Sequence, residues 1–198
     1  MTIRDILNEY DVILASASPR RKELMEYICT SFRVIPADCD ETLPDDIAPE
    51  KAAQYLSKKK CECIAGVYQS SLVIGCDTVV ICDGKLLGKP ADEQDARDML
   101  KTLSGKVHEV RTGVTVRCGS KELSFTEVTK VKFRVLSDET IDAYIASGEP
   151  MDKAGAYGIQ GYGALLAEKI DGDFFNVVGL PVSELAERIK NSQFRSIA

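Results

Sequence analysis

The sequence predicts an α/β protein with a mixed β-sheet and flanking helices, and three observations lead to this fold class. Apolar runs typical of buried strands alternate along the chain with segments that have helical spacing. The run from Leu72 to Cys82 is apolar on both alternating faces, as in a central strand that is covered on both sides. Residues 107–118 and 121–135 instead alternate as two long antiparallel strands joined near Gly119 and Ser120.

Boundary signals place the elements in the first part of the chain. Ser18 is an expected N-cap, and Pro19 is suited to the first helical position because its missing N–H is not needed there. The predicted elements are a strand at 12–15, a helix at 19–28, an apolar stretch at 32–36 and a helix at 49–65.

The second part is punctuated by turn and cap residues. Asp83-Gly84 is a hairpin signal after the central strand, Asp92 and Ser137 are helix caps, and Gly105 ends a helix. The predicted elements are a strand at 85–87, helices from Asp92 to 103 and from Ser137 to 146, a strand near 164–170 and a closing helix at 181–190.

Composition favours an ordinary globular protein with a single continuous domain over residues 1–198. The chain is 44% apolar and contains neither an internal repeat nor a long Pro/Gly/Ser linker. No run approaches the roughly 18 apolar residues of a membrane span, and the N-terminus lacks a signal-peptide core, so we expect a cytoplasmic protein with no membrane partner. A net charge of −6 argues against nucleic acid as a partner.

The cysteines predict reduced thiols. Their number, seven, is odd, and most lie in apolar or helical patterns, which disfavours a disulfide framework. Cys61 and Cys63 are the only close pair, and one histidine is too few for a convincing Cys/His zinc site.

A cluster of cations at the start of the first long helix is the first candidate site. Arg20, Arg21 and Lys22 follow Ser18-Pro19, where the helix dipole is already positive. A phosphorylated ligand would resolve this conflict by accepting hydrogen bonds from backbone N–H groups and arginines together. A solvated basic turn is the alternative interpretation.

Asp77 is the second candidate, because it is the one charged residue in the apolar run from Leu72 to Cys82. A buried carboxylate must be paired, bound to a cation or open to a cleft, so it is a candidate general base or metal ligand; a solvated aspartate at a strand end is the alternative. Glu41, which ends the acidic loop that begins at Asp38, offers a second carboxylate for a divalent ion, although plain turn chemistry also explains that loop.

The third candidate is a glycine-rich segment from Asp152 to Gly163. Its glycines allow a backbone to approach a ligand closely, and the Gln160 amide can both donate and accept hydrogen bonds at a base edge. A flexible structural loop is the alternative. His108 is interpreted as an ordinary strand residue.

These motifs together resemble the Maf family of nucleoside triphosphate pyrophosphatases. The matching stretches, in the family's order, are Leu14-Ala15-Ser16-Ala17-Ser18-Pro19-Arg20-Arg21, Asp40-Glu41, Gly75-Cys76-Asp77-Thr78, Gly88-Lys89-Pro90, Leu103-Ser104-Gly105, the segment from Asp152 to Gly161, and Val178-Gly179-Leu180-Pro181. The resemblance implies an elongated, two-lobed fold similar to inosine triphosphatase-like enzymes, with a central cleft and a homodimeric state.

The resemblance also implies a reaction and a set of residue roles. A nucleoside triphosphate would be hydrolysed to the monophosphate and pyrophosphate with Mg²⁺ or Mn²⁺, and Asp77 would accept the proton of water. Glu41, with Asp77, would bind the metal or orient the water. Phosphates would be bound by Ser16, Arg20, Arg21, Lys60 and Lys89.

Three positions bear on specificity. Arg20, Thr78 and Gln160 match the class that resembles dTTP and UTP pyrophosphatases, whereas Trp, Gln and Glu are typical of the class that acts on 7-methyl-GTP. Cys76 departs from the small Ala or Ser common before the catalytic aspartate. Two alternatives stay open: hydrolysis mainly of modified nucleotides, and a regulatory nucleotide-binding role in cell-division control.

Overall fold

The computed structural model describes residues 1–195 and confirms an α/β fold with a mixed seven-stranded sheet. The strands are β1 (Val12–Ala15), β2 (Arg33–Val34), β3 (Leu72–Cys82), β4 (Lys85–Leu87), β5 (Val107–Cys118), β6 (Lys121–Phe133) and β7 (Ala167–Asp171). The strand order is β2-β1-β3-β5-β6-β7, and β4 pairs with β3. Strand β1 is parallel to β2 and β3, whereas the pairs β3/β4 and β6/β7 are antiparallel.

The helices follow the predicted cap residues closely. They are α1 (Ile3–Leu7), α2 (Pro19–Glu26), α3 (Pro49–Ala65), α4 (Glu93–Leu103), α5 (Asp138–Ala146), α6 (Phe174–Val178) and α7 (Val182–Lys190). The side chains of Ser18, Asp92 and Ser137 each accept a hydrogen bond from a backbone N–H in the first turn of the helix that they cap. Among residues 1–195, no helix is long and apolar enough to cross a membrane.

The chain divides into two compact units. Unit 1 contains residues 1–77, 112–127 and the stretch from Gly179 on, and unit 2 contains residues 78–111 and 128–178. The long strands β3, β5 and β6 contribute residues to both units.

The core of unit 1 forms where α3 covers the parallel strands. Apolar residues of β1, β3 and α3 make one buried cluster, on which Ile35 and Ala37 also pack: Ile13, Ala15, Cys61, Ile64, Ala65 and Val73. In this way the chain segment after β2 is held against the second half of α3.

Unit 2 has a separate core. Helix α4 packs against α5, and the rings of His108, Phe133 and Tyr157 meet edge to face with centroids 4.7–5.3 Å apart. His108 is thus a buried residue of β5, as the sequence predicts.

Several predicted boundaries were wrong. The strand expected near 164–170 begins only at Ala167, because residues 161–165 form a 3-10 helix. The apolar stretch at 32–36 supplies a strand of only two exposed residues at the sheet edge. Helices α1 and α6 were missed, since five residues are too few to show a helical period.

Candidate active site

The site begins at the carboxyl end of β1. Ala15 pairs with Gly75 in the parallel ladder, so the residues that follow, Ser16 and Cys76, leave the ladder at the same level. Parallel strands of α/β sheets place ligands at this edge, because the chains turn away there and expose backbone groups. Ser16 is buried, and Asp77 lies one residue beyond Cys76 in β3.

The start of α2 is tied to this strand end by serine and arginine side chains. The Ser16 Oγ accepts hydrogen bonds from the Ser18 N–H at 3.2 Å and from Arg21 Nη1 at 3.3 Å. Arg21 Nε donates to the Gly179 carbonyl oxygen at 2.9 Å, so its guanidinium is held in one orientation. Arg20 lies half-buried in the same turn.

The first turn of α2 contains no acidic residue. Two arginines therefore add to the positive end of the helix dipole without a carboxylate of the same turn to offset them. This arrangement favours an anion near the start of α2.

Asp77 is buried and paired with a lysine of α3. Asp77 as a residue is 8% exposed, and its Oδ1 lies 2.5 Å from Lys60 Nζ. The same ammonium lies 3.0 Å from Glu41 Oε2. The Lys60 side chain is 12% exposed and the Glu41 side chain 51% exposed, so a mostly buried ammonium lies between one buried and one exposed carboxylate.

The pKa of Lys60 shows which influence dominates in this cluster. Burial acts to lower the pKa, but the carboxylates of Asp77 and Glu41 outweigh it and hold the pKa above its usual value of 10.5. Lys60 is consequently a full positive charge at neutral pH. The ammonium is held between the two carboxylates.

The neighbouring lysines are used elsewhere. Lys58 pairs with Glu122 at 2.9 Å and Lys59 with Asp40 at 3.5 Å, both partners being outside the Asp77 cluster. Among the ion pairs of residues 1–195, Lys60 is the member of this run that contacts Asp77. Three lysines in succession point to three directions around a helix, which is why one of them alone reaches the strand.

Two glycines bring α3 close enough to the sheet for this contact. A Cβ at Gly75 would lie 2.5 Å from the Ser57 carbonyl oxygen and 2.6 Å from the Cys61 nitrogen. A Cβ at Gly113 would lie 2.2 Å from the Ala53 carbonyl oxygen. Both strands therefore need glycine where the helix backbone crosses them. Gly75 lies against the turn of α3 from Ser57 to Cys61, and Lys60 belongs to this turn.

Sequence reasoning did not assign this role to either glycine. The available signal was a glycine in the interior of a strand, which often marks the close approach of another backbone. In β3 that glycine precedes Asp77 by two residues, and in β5 it stands within an otherwise regular strand.

The other predicted residues belong to unit 2. Thr78 is in β3, Lys89 is an exposed residue after β4, and Gln160 is the exposed residue that precedes the 3-10 helix at 161–165.

Hydrogen bonds join the glycine-rich segment to the rest of unit 2. Glu149 accepts hydrogen bonds from the N–H groups of Tyr162 and Gly163, at 3.1 and 3.3 Å. The Tyr144 hydroxyl accepts one from the Gly158 N–H at 3.0 Å. Gly155 N–H donates to the Gly88 carbonyl oxygen at 2.9 Å, so the segment is also joined to the residue before Lys89.

The buried cluster of His108, Phe133 and Tyr157 contacts the same segment through Tyr157. Tyr157 lies in the middle of the segment, and its hydroxyl is 2.7 Å from His108 Nε2. Burial lowers the pKa of His108 to about 4, so the imidazole is neutral at physiological pH. The opposite nitrogen, Nδ1, has no hydrogen-bond partner in the described structure.

Unit 1 holds six of the predicted residues, which lie after the end of β1, in the middle of β3 or on the neighbouring elements: Ser16, Arg20, Arg21, Glu41, Lys60 and Asp77. Arginines, a serine and a lysine can bind phosphate oxygens, and a buried carboxylate can accept a proton. Within residues 1–195, no group of three or more His, Cys, Asp or Glu side chains is placed to hold a metal ion.

Comparison with known proteins agrees with this chemistry. The chain is 47% identical to a dTTP/UTP pyrophosphatase of Clostridioides difficile over 91% of its length and 94% of the relative. It is 48% identical to a protein of that name from Geobacillus, over 90% and 96% of the two chains, and 51% identical to one from Carboxydothermus hydrogenoformans, over 90% and 97%. Residues 11–192 match the family described as Maf-like protein. With a family match over nearly the whole chain and relatives of this similarity, the protein belongs to the Maf family.

Proposed function

We propose that this protein hydrolyses dTTP and UTP to the nucleoside monophosphate and pyrophosphate. The observation that carries the proposal is the buried Asp77 paired with Lys60, close to a helix start that has two arginines and no acid. Relatives that align over about nine-tenths of the chain carry the name dTTP/UTP pyrophosphatase, which supports this substrate class.

The cations would bind the triphosphate. Arg20 and Arg21 present guanidinium groups that match phosphate oxygens, and Ser16 offers a hydroxyl at the same turn. Lys60 and Lys89 would add two further positive charges. Phosphoryl transfer depends chiefly on positioning and charge neutralisation, so such a set is what the reaction needs.

Asp77 would be the general base. In the absence of substrate the Asp77 carboxylate is paired with the Lys60 ammonium. A phosphate oxygen that binds Lys60 weakens this pairing and leaves Asp77 free to accept a proton from water. The water oxygen then attacks the α-phosphorus and pyrophosphate leaves. Glu41, on the same lysine, would orient the water.

A divalent cation, Mg²⁺ or Mn²⁺, is proposed as the cofactor. The residues fit it, because Asp77 and Glu41 place two carboxylates around one ammonium and Mg²⁺ is commonly bound by one or two carboxylates plus substrate phosphates. When bound, the metal would neutralise charge on the phosphates. The carboxylates would then exchange part of their contact with Lys60 for contact with the metal.

Specificity for thymine and uracil is proposed to rest on Arg20, Thr78 and Gln160. The Gln160 amide can accept from N3–H and donate to O4 of these bases, whereas a carboxylate can only accept. A Gln160→Glu variant should therefore lose kcat/KM for dTTP and UTP by about 10- to 100-fold, mainly through KM. Equal activity of the variant and the wild type on both nucleotides would contradict this assignment.

The deciding experiment measures pyrophosphate release from dTTP, UTP, 5-methyl-UTP and 7-methyl-GTP with Mg²⁺ or Mn²⁺. The Asp77→Asn variant should lose about 100- to 10,000-fold in kcat, since an amide cannot accept the proton. Asp98→Asn, the same chemical change at an exposed residue of α4, is the matched control and should retain full activity. Full turnover by Asp77→Asn would contradict the proposed base.

The proposal also includes the oligomeric state, the cellular location and the partners of the protein. A homodimer is implied by the family resemblance and is measured by analytical ultracentrifugation. A cytoplasmic location is supported by the seven free cysteines, which suit a reducing compartment. The absence of nucleic acid as a partner is supported by the net charge of −6.

A further inference from the structure

We propose that Cys39 and Cys63 form a reversible disulfide that pins the Glu41 loop to α3 and slows turnover. The Glu41 loop is defined as residues 38–41. The effect on turnover rests on the proposed function, whereas formation of the bond does not. Both cysteines belong to unit 1 and both are half-exposed free thiols, whereas four of the other five are buried.

The Glu41 loop already lies along the second half of α3. Cys63 Sγ donates a hydrogen bond to the Asp38 carbonyl oxygen at 3.7 Å, and Asp40 and Glu41 pair with Lys59 and Lys60. Just before the loop, the chain packs on the apolar cluster of α3. The contacts of Asp38, Asp40 and Glu41 all fall on residues 59–63 of α3, so the loop lies against this stretch of the helix.

This arrangement brings the two cysteines together. The oxygen that Cys63 contacts belongs to the peptide unit joining Asp38 to Cys39, so the Cys63 sulfur lies within roughly 7 Å of the Cys39 Cα. Rotation of the two side chains and a small shift of the loop would produce disulfide geometry.

The covalent step needs a peroxide as oxidant. One thiol sulfur attacks hydrogen peroxide, becomes a sulfenic acid and releases water. The second sulfur then attacks the sulfenic sulfur, the S–S bond forms, and the hydroxyl leaves with the thiol proton as a second water. Two thiols are oxidised and one peroxide is reduced to two waters, and a dithiol reductant reverses the change.

The consequence follows from the position of Glu41, two residues after Cys39. Glu41 contacts Lys60 beside Asp77, and substrate or metal binding must redistribute these charges. A bond at Cys39 limits how far Glu41 can move, and misplacement by about 1 Å in such sites can cost on the order of 100-fold in rate. We expect the oxidised protein to lose roughly tenfold or more in kcat/KM.

The test treats the full-length protein with hydrogen peroxide and maps its peptides by mass spectrometry without reduction. The expected result is a Cys39–Cys63 cross-linked peptide that has lost two hydrogens, together with reduced dTTP hydrolysis that dithiothreitol restores. Cys39→Ser and Cys63→Ser should each keep the activity of the untreated enzyme and resist peroxide. Cys118→Ser, which removes another half-exposed thiol, should stay as sensitive as the wild type.

The possible outcomes separate the two proposals. If Cys39 and Cys63 do not become linked to each other, the disulfide is overturned, whatever the protein hydrolyses. If they are linked and activity is unchanged, or if Cys39→Ser is inactivated like the wild type, the control of turnover is overturned. If the reduced protein releases pyrophosphate from no nucleotide, the proposed function fails while the peptide map still decides whether the bond forms.

Discussion

Replacing Gly75 by alanine should both destabilise unit 1 and impair the site, because α3 crosses β3 with no room for a side chain. The added Cβ would lie 2.5 Å from the Ser57 carbonyl oxygen and 2.6 Å from the Cys61 nitrogen. Non-bonded carbon contacts are favourable at about 3.5–4.0 Å, so α3 would have to withdraw by about 1 Å. Both close neighbours are backbone atoms, so a side-chain rotation cannot relieve the clash.

The size of the effect follows from this displacement. Adding a methyl group to a well-packed interior costs about 1–3 kcal/mol, and with backbone on both sides we expect the upper part of that range. A withdrawal of about 1 Å also lengthens the contact between Lys60 and Asp77, which in a positioned site reduces kcat/KM by on the order of 100-fold. Gly75→Ala should therefore lose more activity than a variant that is destabilised to the same extent elsewhere on α3.

The assay pairs urea unfolding with dTTP hydrolysis for three variants. Gly113→Ala meets the same helix at Ala53, two turns before Lys60, and should lose similar stability but less activity. Gly88→Ala, with nothing within 4 Å of its Cβ, is the control for stability alone. If Gly75→Ala unfolds at the wild-type urea concentration and retains full kcat/KM, the argument from close approach is wrong.

Two further predictions concern titration. Lys60→Met should lower the free energy of unfolding by about 3 kcal/mol at pH 7, because Asp77 is left buried without its cation. The folded pKa of Lys60 is raised above 10.5, so the difference in unfolding free energy between wild type and variant should narrow as the pH rises beyond that value. A difference that widens over this pH range would contradict the pairing. Burial lowers the pKa of His108 from its ordinary value of 6.5 to about 4 in the folded protein. Acidification from pH 7 to pH 5 should therefore lower the free energy of unfolding of the wild type by about 2 kcal/mol, a loss that a His108→Gln variant does not share. Urea titrations that show equal acid sensitivity of the two proteins would refute this.

Local signals in the sequence were sufficient for most elements. The caps Ser18, Asp92 and Ser137 are where they were expected, and Asp83-Gly84 makes the predicted hairpin with positive φ at both residues. These features depend on a few neighbouring residues, so they are readable from the chain. The late strand was placed too early because the glycine-rich segment before it forms 3-10 turns, which carry no periodic signal.

The sequence by itself determined that Asp77 needs a partner, since a carboxylate inside an apolar strand is costly to bury alone. It also determined, through the order of its motifs, the family to which the chain belongs. Which cation satisfies Asp77 was decided only by the tertiary structure. Lys58, Lys59 and Lys60 are the same residue type at adjacent positions, so local sequence does not distinguish them. Which of them reaches Asp77 depends on the angle and depth at which α3 crosses the sheet. Gly75 and Gly113 set this crossing through contacts between residues far apart in the chain.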